Sequence, residues 1–240
     1  MIRRIDETTS TNDELRSGDY AEGDIVWAER QTAGRGQRGH SWSSAEGLDL
    51  TFSVLLCPRF LPAAEQFSIL RVVALALCET FAEYEIDTRI KWTNDIYVGD
   101  RKITGVLIEN TLEGDRLSRS VIGIGINVNS TEFDPSLPNP TSMAAETGRI
   151  FDRGEVLGKF AVRLGYFYEM LVGGGGEALR REYDAQLYRL DEPSPFRLPD
   201  GTPFTAAIRG TEPAGRLIAE LSDGSCKSFA FKELEFVLKK

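Results

Sequence analysis

Residues 96 to 128 read as two hairpins in succession, which restricts the chain to folds that contain an antiparallel sheet. Ile96-Tyr97-Val98 and Ile103-Thr104-Gly105-Val106-Leu107-Ile108-Glu109 flank Gly99-Asp100, a dipeptide suited to a tight turn. A second turn at Glu113-Gly114-Asp115 returns the chain through Ser120 to Val128. Ile25-Val26-Trp27-Ala28 and the run from 50 to 56 have the β-branched and aromatic content of further strands. Phe67, Leu70, Val73, Ala74, Leu77 and Phe81 recur at helical spacing and predict an amphipathic helix over residues 63–84. Thr141-Ser142 has the chemistry of a helix cap. Residues 154–172 and 177–190 predict two more helices, on either side of Gly173-Gly174-Gly175-Gly176.

Composition changes at Asp191-Glu192-Pro193-Ser194-Pro195. Beyond it come only short strand-like runs, at 196–198, 204–208, 215–220, 227–230 and 235–238, with tight turns at Asp200-Gly201 and Asp223-Gly224. A main domain over residues 1–190 and a small β-barrel domain over 191–240 are therefore expected. The formal net charge of −9 excludes the broad basic face that non-specific nucleic-acid binding needs. No apolar run approaches the roughly 20 residues that span a bilayer. Met1-Ile2-Arg3-Arg4-Ile5-Asp6 lacks the apolar core of a signal peptide. Cys57, Cys78 and Cys226 are odd in number and far apart, which fits reduced thiols in a cytoplasmic protein. The single histidine, His40, excludes a multi-histidine metal site.

Against this acidic background, positive charge concentrates in two segments. They are Gly34-Arg35-Gly36-Gln37-Arg38-Gly39 and Lys91-Trp92-Thr93-Asn94-Asp95, the latter followed by Arg101-Lys102. Glycine lets backbone N–H groups approach an anion, and guanidinium forks match phosphate or carboxylate oxygens. The first segment is not a P-loop, because no Gly-Lys-Ser/Thr follows, and it does not open a helix as a dinucleotide fingerprint does. Taken alone it reads more readily as a surface turn. Trp42 is either a partly buried core aromatic or a stacking surface for a purine. Lys91, Asn94, Asp95 and Lys102 fall on both arms of one hairpin and can converge. Gly123-Ile124-Gly125-Ile126-Asn127-Val128 is an apolar strand broken twice by glycine, which weakens a strand unless something must approach its backbone. Asn127 on that strand is either a satisfied core amide or part of a site. Ser10-Thr11-Asn12 and Gln31 are uncharged hydrogen-bonders, and Ser10-Thr11 also fits a helix cap.

Together these segments resemble the biotin–protein ligase family. The family pattern is Ser-Thr-Asn near the start, then Gln-Thr-x-Gly-Arg-Gly-Arg-x-Gly-Arg-x-Trp, Lys-Trp-Pro-Asn-Asp, Lys-x-x-Gly-Ile-Leu-x-Glu and Gly-x-Gly-Ile-Asn-Val. Here the same order gives Ser10-Thr11-Asn12, Gln31 through Trp42, Lys91-Trp92-Thr93-Asn94-Asp95, Lys102 through Glu109, and Gly123 through Val128. The resemblance implies an α+β fold, a mixed β-sheet flanked by helices as in class II aminoacyl-tRNA synthetases, with a small C-terminal β-barrel. It implies a cytoplasmic enzyme with two steps. Biotin and ATP, with Mg²⁺, give biotinyl-5′-AMP and pyrophosphate. A specific lysine of a biotin carboxyl carrier protein then takes the biotinyl group. Some members carry an N-terminal DNA-binding domain. The motifs here begin close to Met1, so no such domain is expected, and neither is a nucleic-acid or membrane partner. Exposed hairpin strands could pair two subunits into a homodimer.

The resemblance also assigns roles. Two anionic reactants must meet, and Arg35, Arg38, Lys91 and Lys102 are the cations available to them. Lys102 is expected nearest the carboxylate and the bridging oxygen of the adenylate, as the central catalytic residue. Arg35, Lys91 and Asp95 complete the catalytic set, with Asp95 either accepting a proton from the incoming lysine or organising the metal and phosphates. Biotin is expected to be held by Ser10, Thr11, Asn12, Gln31, Arg35, Gly36, Gln37 and Lys102, with Gly123 and Gly125 leaving room for its ring. ATP is assigned to Arg38, Trp42, Asn94, Lys102 and Asn127, with Trp42 against the adenine. No metal ligand is assigned. Residues 34–42 are expected to close over the intermediate. Three positions depart from the family: Gln37 stands where a loop arginine is usual and carries no charge, His40 replaces another frequent arginine, and Thr93 replaces proline. Two rival readings are a lipoate or octanoate ligase or transferase of the same fold, and a non-catalytic biotin-binding protein. The polar set at residues 10–12 and 31 opposes the first, and Lys91, Asp95 and Lys102 oppose the second.

Overall fold

The computed structural model describes residues 1–37 and 41–238. Strand β3 (Leu50–Leu56) is buried along its whole length, so it must lie inside a sheet covered on both faces. Antiparallel to it run β2 (Ile25–Gln31) on one side and β7 (Arg116–Ile126) on the other. The two expected hairpins follow: β7 pairs with β6 (Arg101–Glu113), β6 with β5 (Asp95–Val98) and β5 with β4 (Arg89–Lys91). Their turns place Gly99 and Gly114 at φ of 54° and 64°, a backbone conformation that favours glycine. Strand β1 (Ile2–Thr8) closes the other edge, parallel to β2 through the crossover helix α1 (Thr11–Ser17). The order β1-β2-β3-β7-β6-β5-β4 makes a mixed seven-stranded sheet. Sequence patterning missed β1 because its side chains are almost all exposed or half-exposed. An edge strand of this kind lacks the apolar alternation that marks a half-buried one.

A short turn of 3₁₀-helix (Ala63–Glu65) leads into α2 (Phe67–Ala82). Sequence spacing predicts an amphipathic helix here, yet every position from Ser68 to Phe81 except Glu79 is buried. The reason is tertiary: β4 and β5 contact one side of α2, while α4 (Arg153–Val172) and α5 (Gly176–Ala185) cover another. Helix α3 (Met143–Thr147) starts at Ser142, whose hydroxyl accepts from Ala145 N as expected of a cap. Helix α5 stops at Ala185, five residues short of the expected end. The chain is drawn off into bridges between Leu187 and Ile90 and between Leu190 and Ile208.

The C-terminal strands are β8 (Pro193–Arg197), β9 (Pro203–Thr211), β10 (Leu217–Leu221), β11 (Cys226–Phe229) and β12 (Glu235–Phe236). They form a five-stranded antiparallel sheet in the order β11-β10-β9-β8-β12. Phe196, Ile208, Leu217 and Phe229 belong to the same buried cluster as the main sheet. Polar ties reinforce this contact. Arg71 of α2, only 2% exposed, donates to Glu212 O, Pro213 O and Thr211 Oγ1, and Trp92 Nε1 donates to Gly215 O. Among the described residues no helix is long and apolar enough to cross a membrane. The three cysteines are free.

Candidate functional site

The hairpin brings three of the expected charges together. Strand β4 ends at Lys91, β5 begins at Asp95, and their register sets these two opposite each other. Asp95 Oδ1 lies 2.7 Å from Lys102 Nζ, and Oδ2 lies 4.0 Å from Lys91 Nζ. Lys91 is enclosed by the rings of Tyr97 and Phe236, at 5.2 and 5.0 Å. Burial lowers its pKa below the usual lysine value, and Asp95 opposes that shift. Neighbouring Asn94 is used locally: its amide donates to Val106 O at 2.6 Å.

The uncharged residues form a second cluster, around α1. Ser10 occupies the N-cap position, but its hydroxyl makes no capping bond. The side chain of Gln31 takes that part instead, with Oε1 accepting from Thr11 N at 2.7 Å. Asn12 Nδ2 donates to Glu109 Oε2 at 2.7 Å. Ser53 Oγ lies 2.6 Å from both Thr11 Oγ1 and Asn12 Oδ1. Gly123 is required here, since a Cβ would come within 2.5 Å of Asn12 Oδ1. Ser10, Thr11, Asn12, Gln31, Arg35 and Trp42 line a cavity of about 20 Å³. That is room for about one water molecule.

Trp42 joins the two clusters. It lines this cavity, and its ring centroid lies 5.8 Å from Lys102 Nζ. The indole rests on Gly125, where a Cβ would fall 2.0–2.4 Å from ring atoms. Its Nε1 is buried and has no hydrogen-bond partner among the described residues. The ends of the glycine-rich loop are tied together by an Arg35–Ser41 bridge and by Trp42 N donating to Gly34 O at 3.0 Å.

Arg35 is engaged by acids from two elements. Its guanidinium grips Asp13 at 2.6 and 2.8 Å and reaches Glu109 Oε2 at 3.4 Å. Glu109 Oε1 also meets Arg16 at 2.7 Å. Hydrogen bonding to Arg35 holds the Asp13 carboxyl below its usual value, and the same contact raises Arg35. Burial alone would raise Glu109, but Asn12, Arg16 and Arg35 bring it below the usual range.

Other expected residues stand elsewhere. The side chain of Gln37 does not line the first cavity. It faces a second one of about 250 Å³ with Asn94, Asn110 and Ala214, where its Oε1 is buried and unpaired among the described residues. Asn127 is buried and its amide donates to Thr141 O at 2.8 Å, so it holds a neighbouring loop. Gly36 is half-buried within the loop, and Arg38 lies outside the described residues. Sequence reasoning assigned no role to Asp13, Arg16, Ser53 or Glu109. Two of these carried a signal: Ser53 is a polar residue in a largely apolar strand, and Glu109 closes the motif that begins at Lys102. Nothing local marks Asp13 or Arg16.

Residues 1–127 match the profile of the biotin/lipoate A/B protein ligase family. The chain is 31% identical over 230 residues to the bifunctional ligase/repressor BirA of Bacillus spizizenii, covering 94% of this chain and 70% of that protein. It is 30% identical over 226 residues to the biotin–[acetyl-CoA-carboxylase] ligase of Paracoccus denitrificans, covering 91% and 92%. The solved structure of the biotin protein ligase from Aquifex aeolicus in complex with biotin and ATP matches with a TM-score of 0.84 at 28% identity, over 99% of each chain. With the family profile spanning more than half of its length and the fold shared from end to end, this chain belongs to the biotin/lipoate A/B protein ligase family.

Proposed function

We propose that this protein is a biotin–protein ligase, which activates biotin with ATP and passes the biotinyl group to a lysine of a biotin carboxyl carrier protein. The observation that carries the reading is Trp42, shared between an uncharged hydrogen-bonding cavity and the Lys91–Asp95–Lys102 cluster. A bicyclic urea needs donors and acceptors, and a triphosphate needs cations. A lipoyl or octanoyl chain would bring no polar group to a cavity lined by Thr11, Asn12 and Gln31.

In the first step Ser10, Thr11, Asn12 and Gln31 hold the urea head, and Gly123 leaves space beside them. The biotin carboxylate oxygen attacks the α-phosphorus, a new P–O bond forms, the bond to the β-phosphate breaks, and pyrophosphate leaves. Lys102 moves from Asp95 to the carboxylate and α-phosphate oxygens, where negative charge accumulates. Lys91, Arg35 and Arg38 add to that field. Trp42 leaves its seat on Gly125 and stacks on the adenine. Asn94 and Asn127 shape the nucleotide side through the backbone segments they hold. Mg²⁺ fits as a companion of the triphosphate, because one carboxylate plus phosphate oxygens and waters is a sufficient set for it. Asp95 would hold it there, and it would supply positive charge at the departing phosphates.

In the second step the acceptor amine attacks the acyl carbon, the bond to the phosphate oxygen breaks, and AMP leaves. Asp95 takes the proton that the amine releases. Residues 1–190 carry this chemistry, and residues 191–240 form a second domain that covers it, with Phe236 lying over Lys91. The setting is cytoplasmic, where ATP is plentiful and thiols stay reduced. The net charge of −9 opposes a nucleic-acid partner, and the exposed hairpin edges offer a surface through which two subunits could pair.

Pyrophosphate release from biotin and ATP, followed by biotin transfer to a carrier domain, tests this directly. Lys102→Ala is expected to slow release by about 10²–10³-fold. Release driven by lipoate or octanoate and not by biotin would instead establish the rival substrate class. An unchanged rate in Lys102→Ala would remove Lys102 from the chemistry.

A further inference from the structure

We propose that Glu109 is a positioning residue that fixes, through Asn12 and Ser53, the direction of the Thr11 hydroxyl proton, so that Thr11 meets its ligand as a hydrogen-bond acceptor. The inference deepens the biotin reading and rests on it. Glu109 and Ser53 do not line the cavity themselves.

The argument follows protons. An ionised carboxylate only accepts hydrogen bonds. Glu109 Oε2, 2.7 Å from the Asn12 amide, therefore selects its nitrogen and turns Asn12 Oδ1 toward Ser53. An amide oxygen cannot donate either. Ser53 has a single hydroxyl proton and lies 2.6 Å from Asn12 Oδ1, so the proton goes there. Ser53 Oγ is also 2.6 Å from Thr11 Oγ1, and at that separation the two oxygens need a proton between them. With the serine proton spent, it must come from Thr11.

The consequence lies in the cavity. Thr11 Oγ1 keeps lone pairs and no free proton. Gln31 Oε1 lies within hydrogen-bond reach of Thr11 Oγ1, at 3.1 Å, and is fixed as an oxygen because it accepts from Thr11 N at 2.7 Å; with the one hydroxyl proton turned to Ser53, the shorter contact, Thr11 has none left to donate to it. Two acceptors side by side leave a demand for one donor. An N–H of a cyclic urea meets it, whereas a methylene cannot. Glu109 thus sets the polarity of the cavity three hydrogen bonds away, while Arg16 and Arg35 keep its charge in place.

Calorimetric titration with biotin and with its two lactam analogues, each having one urea N–H replaced by CH₂, tests the relay. Wild type is expected to bind biotin and to lose about tenfold for one lactam. Glu109→Gln is expected to lose about tenfold for biotin and under twofold for that lactam, because Asn12 can then turn over. The exchange Asn12→Asp with Glu109→Gln restores an acceptor toward Ser53 and is expected to recover most of the biotin affinity. Should Glu109→Gln fail to fold, Ser53→Ala interrupts the same chain and is expected to give the same ligand-selective loss. Equal weakening of biotin and both lactams, or no weakening at all, would overturn the relay while leaving the biotin reading intact. A wild-type protein that binds no biotin would overturn both.

Discussion

Arg35 is paired with this protein's own carboxylates, which makes its neighbours a measurable part of the site. Asp13 and Glu109 both have folded pKa values below their ordinary 3.8 and 4.5. A carboxyl of this kind binds fewer protons folded than unfolded. Its contribution to stability is full above the ordinary value and is lost as pH falls through the folded one. Melting temperature is therefore expected to drop as pH goes from about 5 to 3. Asp13→Asn and Glu109→Gln should each flatten that acid limb, measured by thermal melts across the range. Trp42 gives a second expectation at this scale. A cavity of about 20 Å³ cannot admit biotin while the indole stays on Gly125. Biotin should change the tryptophan fluorescence, and Trp42→Phe should abolish the change, because Trp27 and Trp92 are buried elsewhere in the core. The sequence singled out Trp42 and Arg35 but not the partners of Arg35, since Asp13 looks like any acidic residue in a first helical turn.

Among the elements, β7 shows why a strand would carry two glycines. Gly123 leaves room for Asn12, and Gly125 for the Trp42 ring. Gly123→Ala would press a methyl into a hydrogen-bonded side chain, and overpacking of this kind costs about 1–3 kcal/mol. It should also weaken biotin binding tenfold or more in the same titration. Gly158 in α4 is the contrast, because a Cβ there meets nothing within 4 Å. Gly158→Ala should raise stability by about 0.5–1 kcal/mol, read as a shift of the denaturant midpoint. Helix α1 carries a related lesson. Ser10 has the chemistry of a cap, yet the side chain of Gln31 takes the first helical N–H, so a residue expected for the ligand also completes the helix.

For the whole molecule, the contact between the two sheets matters most. Arg71 is almost wholly buried and satisfies two carbonyls and a hydroxyl from residues 211–213. Arg71→Met would leave those carbonyls buried without a donor, at about 1–3 kcal/mol each. The expected result is a loss of about 3 kcal/mol, with hydrogen-exchange protection failing first in β9 and β10. Adenylation should slow as well, because Phe236 of the same sheet covers Lys91. Unchanged protection in those strands would show that apolar packing alone holds the sheet in place.

By itself the sequence determined the meander, the helices α3 and α4, the strand-only C-terminus and the five ordered motifs. Turn glycines, caps, period and motif spacing are local properties of a chain. Tertiary structure alone decided the edge strand β1, the enclosure of α2, the early end of α5, the partners of Arg35, the seat of Trp42 and the route from Glu109 to Thr11. These depend on contacts between residues as far apart as Asn12 and Glu109, 97 positions along the chain, and no local pattern encodes which distant groups will meet.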